Sequence, residues 1–452
     1  MKHLADIVLV YPFYKSRFDR SPFRFPPLGI GYIASFLKQH DLDVDIIDGT
    51  FRSETEVVKL IESQRPRIVG IYAMYSMEEQ AISLAKRIRN VADLLVVGGP
   101  LPTVDPSHFL DSFDIVVLGE AENAMLEIVK NFLNSDNIVG GTGTISNSSN
   151  GSSHLVHAVP VTDLDSIPFP ARELFDNDAY KDYYSSNFGQ TITSMISSRG
   201  CPFTCDFCSR PVFGDTFRSR SPRGIVDEME VVSILGYDAI WFADDCFTIS
   251  RDRVLRICDE IDRRDLDVKW QCLSRVDTLD KELASRMRNA GCQRIYFGIE
   301  SGDETILNIM QKQVNLQTAR NAVSNANSAG IETGAFFIIG YPGDSERTVL
   351  NTLRFATSLP LNYVSFGLPY PIPGTGLYEK VKHSTRNPPK GKFRLIDQHL
   401  TFGSEFSEFK LKFAIVKAAI QFRIRRYLGE KGYRLVGKPF EKITDNMFKM
   451  IR

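Results

Sequence analysis

The sequence predicts an α/β protein: an N-terminal doubly wound parallel sheet, then a partial (β/α)6 barrel, then a short helical C-terminal region. Three observations predict it. Short apolar runs without polar alternation recur through the first 140 residues, as strands buried on both faces of a parallel sheet do. Amphipathic stretches at helical spacing separate them. From Thr191 the alternation resumes, and each strand-like run ends in polar or glycine-rich residues. That pattern belongs to a barrel with its chemistry at the strand C-termini.

The first region, 1–140, holds strand candidates at Asp6–Tyr11, Val44–Ile47, Ile68–Tyr72, Leu94–Val97 and Ile115–Leu118, with helices over Leu28–Gln39 and Glu78–Val91. Ligands bind such sheets at the carboxyl ends of the strands. There the sequence places Pro12, Gly98, Gly99, Pro100, Gly119 and Glu120. Residues 141–190 form a connection. The stretch TGTISNSSNGSSH has linker composition, yet its β-prone flanks equally fit a hairpin tip, and the prolines of DLDSIPFPAR mark an extended crossing. The barrel region, 191–385, begins with ITSMISS and continues through AIWFADD, KWQCLSRVD, IYFGIES, GAFFIIGYPG and VSFGLPYPIPG, with helices over Asp280–Ala290 and Leu316–Ala329.

The last region, 386–452, is basic and mostly helical. From Phe409 onward it carries twelve Lys and Arg against Glu430, Glu441 and Asp445. Phe409, Phe413, Val416, Ile420 and Ile424 recur at helical spacing, so they are expected to dock on the barrel with the charges in water. The other reading is a basic surface that receives an acidic substrate or a protein partner.

The composition narrows the function classes. Charge is balanced, 54 Lys and Arg against 55 Asp and Glu, so no global field selects nucleic acid as partner. No apolar run is long enough to span a bilayer, and the N-terminal apolar stretch lacks a small-residue cleavage site. Seven cysteines is an odd number, and Cys246, Cys258, Cys272 and Cys292 stand singly. That is no disulfide framework, and it points to a reducing, cytoplasmic setting.

The remaining three, Cys201, Cys205 and Cys208, sit within eight residues in RGCPFTCDFC. A structural zinc site wants a second ligand pair, which is missing here. A redox pair uses Cys205 and Cys208 but leaves Cys201 without a role. An iron–sulfur cubane takes thiolate ligands, and three of them leave one iron open.

The spacing CxxxCxxC, with Phe207 before the last cysteine and a strand just ahead, resembles the radical S-adenosylmethionine (SAM) superfamily. The resemblance implies a [4Fe-4S] cluster whose open iron is chelated by SAM, and a 5′-deoxyadenosyl radical formed on reduction. It implies contacts to SAM from Phe207, from Asp244 at the end of AIWFADD, and from Arg275 after the third strand. It extends to Glu300 and Ser301 in GIESG, and to Gly340 and Tyr341 in GYPG.

The N-terminal stretches FPPLGIGYIASFLKQ, VVGGPLPT and IVVLGEAEN resemble the cobalamin-binding domain of the class B radical SAM methyltransferases, over residues 1 to about 385. The resemblance implies cobalamin as third cofactor, with Met74, Tyr75 and Ser76 facing the lower side of the corrin. Gly98, Gly99 and Pro100 would approach its nucleotide tail, and Pro12, Gly119 and Glu120 would line the site. The Asp-x-His-x-x-Gly motif of many cobalamin proteins is missing, so His3, His40 and His108 read as ordinary packing or surface residues.

The function expected is methylation of an unactivated carbon with two SAM per turnover. The acceptor is a small molecule or a protein; a glutamine side chain is one candidate, by resemblance to the archaeal protein glutamine C-methyltransferases. An external donor such as ferredoxin or flavodoxin would supply the electron. Two alternatives stay open: a non-methylating oxidation, cyclisation or rearrangement, and an iron–sulfur electron-transfer or sensor protein.

Overall fold

The computed structural model describes residues 5–14, 24–135, 141–146, 156–210, 212–385 and 399–451. The chain divides into two compact units. The first comprises Met1–Cys201 and Arg210–Ala239, the second Pro202–Ser209 and Ile240–Arg452.

The first unit alternates β1 (Ile7–Tyr11), α1 (Leu28–Lys38), β2 (Val44–Asp48), α2 (Glu54–Gln64), β3 (Ile68–Tyr72), α3 (Glu78–Ile88), β4 (Leu94–Gly98), α4 (Pro100–Val104), β5 (Ile115–Val117), α5 (Glu122–Ser135) and β6 (Thr144–Ser146). The sheet order is β2-β1-β3-β4-β5-β6. Its first five strands are parallel. Each is apolar on both faces because helices cover both faces, so two cores form. Val8, Val10, Val69, Ile71 and Val97 point to one. Ile7, Leu9, Ile68, Leu94 and Val96 point to the other. The order reverses between β1 and β3, which opens the crevice where such sheets take ligands. The GTI segment forms β6, antiparallel to β5. The rest of the expected linker or hairpin tip, 147–155, lies outside the described residues.

The first unit also contains α6 (Asn177–Phe188), β7 (Ile192–Met195), β8 (Ser198–Arg199), β9 (Arg218–Ser219) and α7 (Pro222–Ile234). ITSMISS is therefore not one strand. It breaks after Met195, and the two-residue β8 pairs antiparallel with β9 on either side of the cysteine segment.

The second unit contains β10 (Ala239–Phe242), α8 (Arg251–Arg263), β11 (Lys269–Ser274), α9 (Lys281–Asn289), β12 (Cys292–Glu300), α10 (Glu304–Ile309), α11 (Leu316–Ser328), β13 (Glu332–Ile338), α12 (Glu346–Ser358) and β14 (Tyr363–Gly367). The strands β14-β13-β12-β11-β10 are neighbours in that order, and β11 through β14 pair in parallel. Asp or Ser caps start most of these helices: Ser250, Asp280, Asp303 and Ser345 each accept a backbone N–H of the first turn. Cys246, Cys258, Cys272 and Cys292 are buried free thiols.

The chain ends in α13 (Gly376–Val381), α14 (Glu408–Gly432, broken at Gly429) and α15 (Lys438–Met450). Here the expected face is wrong. Phe409, Val416 and Ile420 are exposed, and Phe413 and Ile424 are only half-buried. The buried face carries Lys410, Leu411, Ala414, Lys417, Ala418 and Gln421. Small residues on that face let the helix come close: a Cβ on Gly340 would meet a Leu411 methyl at 2.5 Å. The two lysines bury aliphatic stems and keep partners for their charges. Lys410 reaches Glu346 at 2.5 Å, and Lys417 reaches Asp445 at 2.7 Å.

Candidate active site

The cysteine segment follows β8 through Gly200, whose φ is +81°. A Cβ there would sit 2.3 Å from the Thr216 carbonyl, so the turn needs glycine. Cys201 donates its backbone N–H to Gly214 at 3.3 Å, and its carbonyl accepts Arg210. The Cys208 amide closes a turn on the Cys205 carbonyl at 3.1 Å. Cys201 and Cys205 are half-buried and Cys208 is exposed.

Asp206, between the last two cysteines, is the anchor of this segment in the second unit. Its backbone N–H donates to Met310, and its carbonyl accepts Leu377, both at 2.9 Å. Its buried carboxylate accepts the Tyr341 hydroxyl at 2.5 Å and Lys380 at 2.8 Å. Burial, then the Asp206 carboxylate, raise the Tyr341 phenol above its ordinary pKa. Tyr341 also meets Phe207 edge-on, with ring centroids 6.4 Å apart.

A cationic wall faces Cys205. Arg275 Nη1 lies 3.7 Å from its Sγ, and the guanidinium lies over Phe203 at 3.7 Å from the ring centroid. Asp277 holds the guanidinium at 2.8 and 2.9 Å, and the Lys312 carbonyl accepts it at 2.9 Å. Lys312 itself is buried. It pairs with Glu300 at 3.0 Å and lies 5.9 Å from the Phe207 centroid. Burial works against its charge, but Glu300 and the Cys205 sulfur outweigh burial and raise its pKa. Glu300 stands at φ +71°, where β12 loses register with β13. A left-handed non-glycine residue beside a functional loop is the kind of strain the surrounding fold must enforce.

The other expected SAM contacts sit at strand ends in the same unit. Asp244 is buried and faces Arg253 at 3.6 Å. Ser301 shares a hydrogen bond with Thr352 at 3.0 Å and accepts the Asp303 amide, so its hydroxyl helps start α10. Gly340 has φ +80° and donates its N–H to Asp344, as Tyr341 does, at 2.9 and 3.0 Å. Burial raises the Asp344 carboxyl to about 6.

In the first unit, the loops after β1, β3, β4 and β5 lie on the carboxyl edge of the sheet. Pro12 is buried there, and Met74, Tyr75, Ser76 and Gly98 are half-buried. Gly99 has φ +121°, and a Cβ on it would meet the Ala73 carbonyl at 2.5 Å. Pro100 opens α4. Gly119 has φ +89° and donates to Thr103 at 3.0 Å. His40 contacts the Phe36 carbonyl and His108 contacts Glu78, each at 2.9 Å.

Glu120 sits deeper. Its carboxylate accepts Arg199 at 2.7 Å and Arg218 on the other oxygen. Glu122 takes the second arm of Arg199 at 2.6 Å. Tyr32 and Phe213 flank the Arg199 guanidinium at 5.3 and 5.1 Å from their centroids. Arg199 immediately precedes Gly200 and Cys201, so the loop after β5 holds the strand that leads into the cysteines. Fork geometry suits arginine for such a double contact.

Residues 195–356 match the Radical SAM superfamily model, and residues 15–129 match the B12 binding domain model. An uncharacterized methyltransferase of Pyrococcus horikoshii is 34% identical over 364 residues, which cover 78% of each chain. The chain belongs to the cobalamin-dependent radical SAM methyltransferase family. It is an enzyme whose cofactors are a [4Fe-4S] cluster, SAM and cobalamin. The fold is shared with two solved structures. One is the cobalamin-dependent SAM radical enzyme OxsB with aqua-cobalamin and SAM, at TM-score 0.75 and 17% identity over 99% of this chain and 72% of that one. The other is the methyltransferase TsrM of Kitasatospora setae with cobalamin and cluster, at TM-score 0.71 and 19% identity over 85% and 76%.

The side chains of this methyltransferase fit such a cluster. Three cysteines outside any disulfide lie on one segment, with the cations of Arg275 and Lys312 beside Cys205. Among the described residues no three His, Cys, Asp or Glu side chains gather round a single metal ion. A cubane does not ask for that, because its thiolates bind different irons.

Sequence reading missed Asp206, Lys312 and Arg199 as parts of the site. Asp206 and Arg199 carry one usable signal, their position inside the cysteine segment. Lys312 carries none, since a lone lysine between two glutamines reads as a solvated turn.

Proposed function

We propose that this enzyme methylates an unactivated carbon, consuming two SAM molecules per turnover in a reducing cytoplasm with an external ferredoxin or flavodoxin as electron donor. The observation that carries the reading is the pairing of the cysteine segment with the cationic wall of Arg275 and Lys312, in a chain that also has a cobalamin-binding sheet. Bound together, the cofactors supply a 5′-deoxyadenosyl radical from one SAM and a transferable methyl group from the other.

Cys201, Cys205 and Cys208 hold the cluster. Arg275 and Lys312 offer positive charge to the SAM carboxylate, and Glu300 and Asp244 offer negative charge to its amino group. Phe207 and Tyr341 give the adenine an apolar neighbour, while Ser301 and the Gly340 turn shape the ribose and adenine side. On the sheet edge, Pro12, Met74, Tyr75, Ser76 and Gly98 to Pro100 present apolar surface and backbone to the corrin. His40 and His108 lie outside those loops. Glu120, engaged by two arginines, supports the corrin edge from behind with Gly119. Confinement of the radical from water is the protein's remaining task.

The acceptor is a small molecule or a protein side chain, glutamine being the protein candidate. Anaerobic reconstitution with cluster, cobalamin, SAM and reductant tests the reading. Both 5′-deoxyadenosine and S-adenosylhomocysteine should form, and mass spectrometry of candidate acceptors should show the gain of one methyl. Formation of 5′-deoxyadenosine alone, with an oxidised or cyclised product, would favour the non-methylating alternative. Formation of neither would remove the enzyme reading of this site.

A further inference from the structure

The apolar stripe expected to dock α14 faces outward. Phe409, Phe413, Val416, Ile420 and Tyr427 follow one another at intervals of three, four or seven residues, so they form one line along the helix. The line spans roughly 27 Å at the usual rise per residue. Phe409 is 70% exposed, Val416 57% and Tyr427 80%. The helix α15 repeats the arrangement. Thr444, Asp445 and Phe448 are buried, while Ile443, Met447 and Met450 are exposed at 61%, 47% and 80%.

Beside each stripe runs a row of cations. On α15, Lys438, Lys442 and Lys449 share one edge, adjacent to Ile443, Met447 and Met450 by helical phase. On α14, Lys412 and Arg423 border the stripe. Lys412 is paired with Glu408 at 2.6 Å. Arg423, Lys431, Lys438, Lys442 and Lys449 are exposed, and none forms an ion pair with a described residue. Between Phe409 and Ile451 there are eleven Lys and Arg against three acids, in a chain whose net charge is −1. The positive charge of this protein is therefore gathered where its apolar side chains are bare.

We propose that α14 and α15 form a docking surface for an anionic lipid bilayer. An amphipathic helix with aliphatic and aromatic side chains along one line and lysines at its edge lies in the plane of a membrane. The apolar line enters the acyl boundary, and the cations meet the headgroups. No helix of the described residues is long and apolar enough to cross a membrane, so the attachment is peripheral. A second copy of the chain fits less well, because an isologous contact would bring two like-charged lysine rows into one interface. The buried faces of both helices are already engaged: Lys417 and Arg354 meet Asp445 at 2.7 and 2.5 Å, and Arg354 meets Glu441 at 3.0 Å. The outward faces are thereby held in fixed orientation on a folded support, which removes the ordering cost that a free amphipathic peptide bears on binding.

Flotation of the full reconstituted chain with vesicles tests this. The chain should float with phosphatidylcholine vesicles that contain phosphatidylglycerol and stay behind with phosphatidylcholine alone, and high salt should release it. Each lysine near the surface is worth about fivefold in partition, so K438Q/K442Q/K449Q should weaken binding roughly a hundredfold. V416S/I420S should weaken it at high and low salt alike, since it removes the apolar part. Both variants should keep the wild-type circular dichroism and the wild-type yield of 5′-deoxyadenosine. Failure to float with phosphatidylglycerol vesicles, or flotation unchanged in both variants, would overturn the proposal. So would a concentration-dependent dimer that V416S/I420S dissociates, or retention by an acidic protein or nucleic acid in place of the vesicles.

Discussion

Two buried charge clusters, one beside the cysteine segment and one under the C-terminal helices, solve the same problem by different means. Arg199 faces Glu120 and Glu122 and shares Glu120 with Arg218, so two guanidinium groups face two carboxylates. Burial alone would lower the pKa of Arg199, but Glu122 and then Glu120 raise it above the ordinary value. Lys417 is as deeply buried, with Asp445 as its ion-pair partner and Gln421 as a neutral one. Burial dominates there, and its pKa falls below the ordinary value despite Asp445. A planar fork with five donors can be surrounded by acids on several sides, whereas a lysine ammonium is a point charge that loses more water than one acid returns. The first cluster thus fixes the segment that carries the three cysteines, and the second only ties two helices together.

Arg199→Met breaks the comparison most sharply. It strands Glu122 and half of Glu120 in the interior, at a cost of about 3–5 kcal/mol. Urea unfolding should show that loss, and iron bound per chain should fall with it. Arg199→Lys should recover less than half, because an ammonium cannot fork between two carboxylates.

Lys417→Met should cost less, about 1–3 kcal/mol by the same measurement. The methionine keeps the stem packing, and Asp445 retains Arg354 at 2.5 Å. A loss equal to that of Arg199→Met would erase the distinction between the two clusters.

Asp344 gives a smaller effect that depends on pH. Its folded-state pKa is raised to about 6 by burial. The folded chain therefore holds a proton that the unfolded chain releases near pH 4. Stability from this group is complete below about pH 4 and is lost as pH rises through about 6, by about 2–3 kcal/mol. Thermal midpoints of the wild type and Asp344→Asn should lie close together at low pH and separate as pH rises through about 6, the wild type falling below the variant.

The smallest effect is expected on the outward stripe. Val416→Ser should change stability by no more than about 0.5 kcal/mol, because the side chain is exposed. A loss above about 2 kcal/mol would mean that the stripe packs against protein after all.

Legibility follows contact range. The β–α alternation and the cysteine spacing are written in adjacent residues, so they were readable from the chain. The role of Arg199 depends on Glu120, 79 positions away, and Lys312 depends on a strained Glu300 that its own loop folds back upon. Neither partner leaves a periodic trace.

The sequence by itself determined the strand–helix order, the parallel burial of the first sheet and the cysteine triplet. These rest on local sterics and on hydrophobic period, which act within a few residues. Only the tertiary structure decided which face of α14 is inside. Two faces of that helix carry apolar atoms, and hydrophobic period finds the bulkier one. Close packing chose the other, where Leu411, Ala414 and Ala418 let the helix approach and lysine stems fill the edges. That choice left Phe409, Val416 and Ile420 facing outward, with Lys412 and Arg423 at their edge.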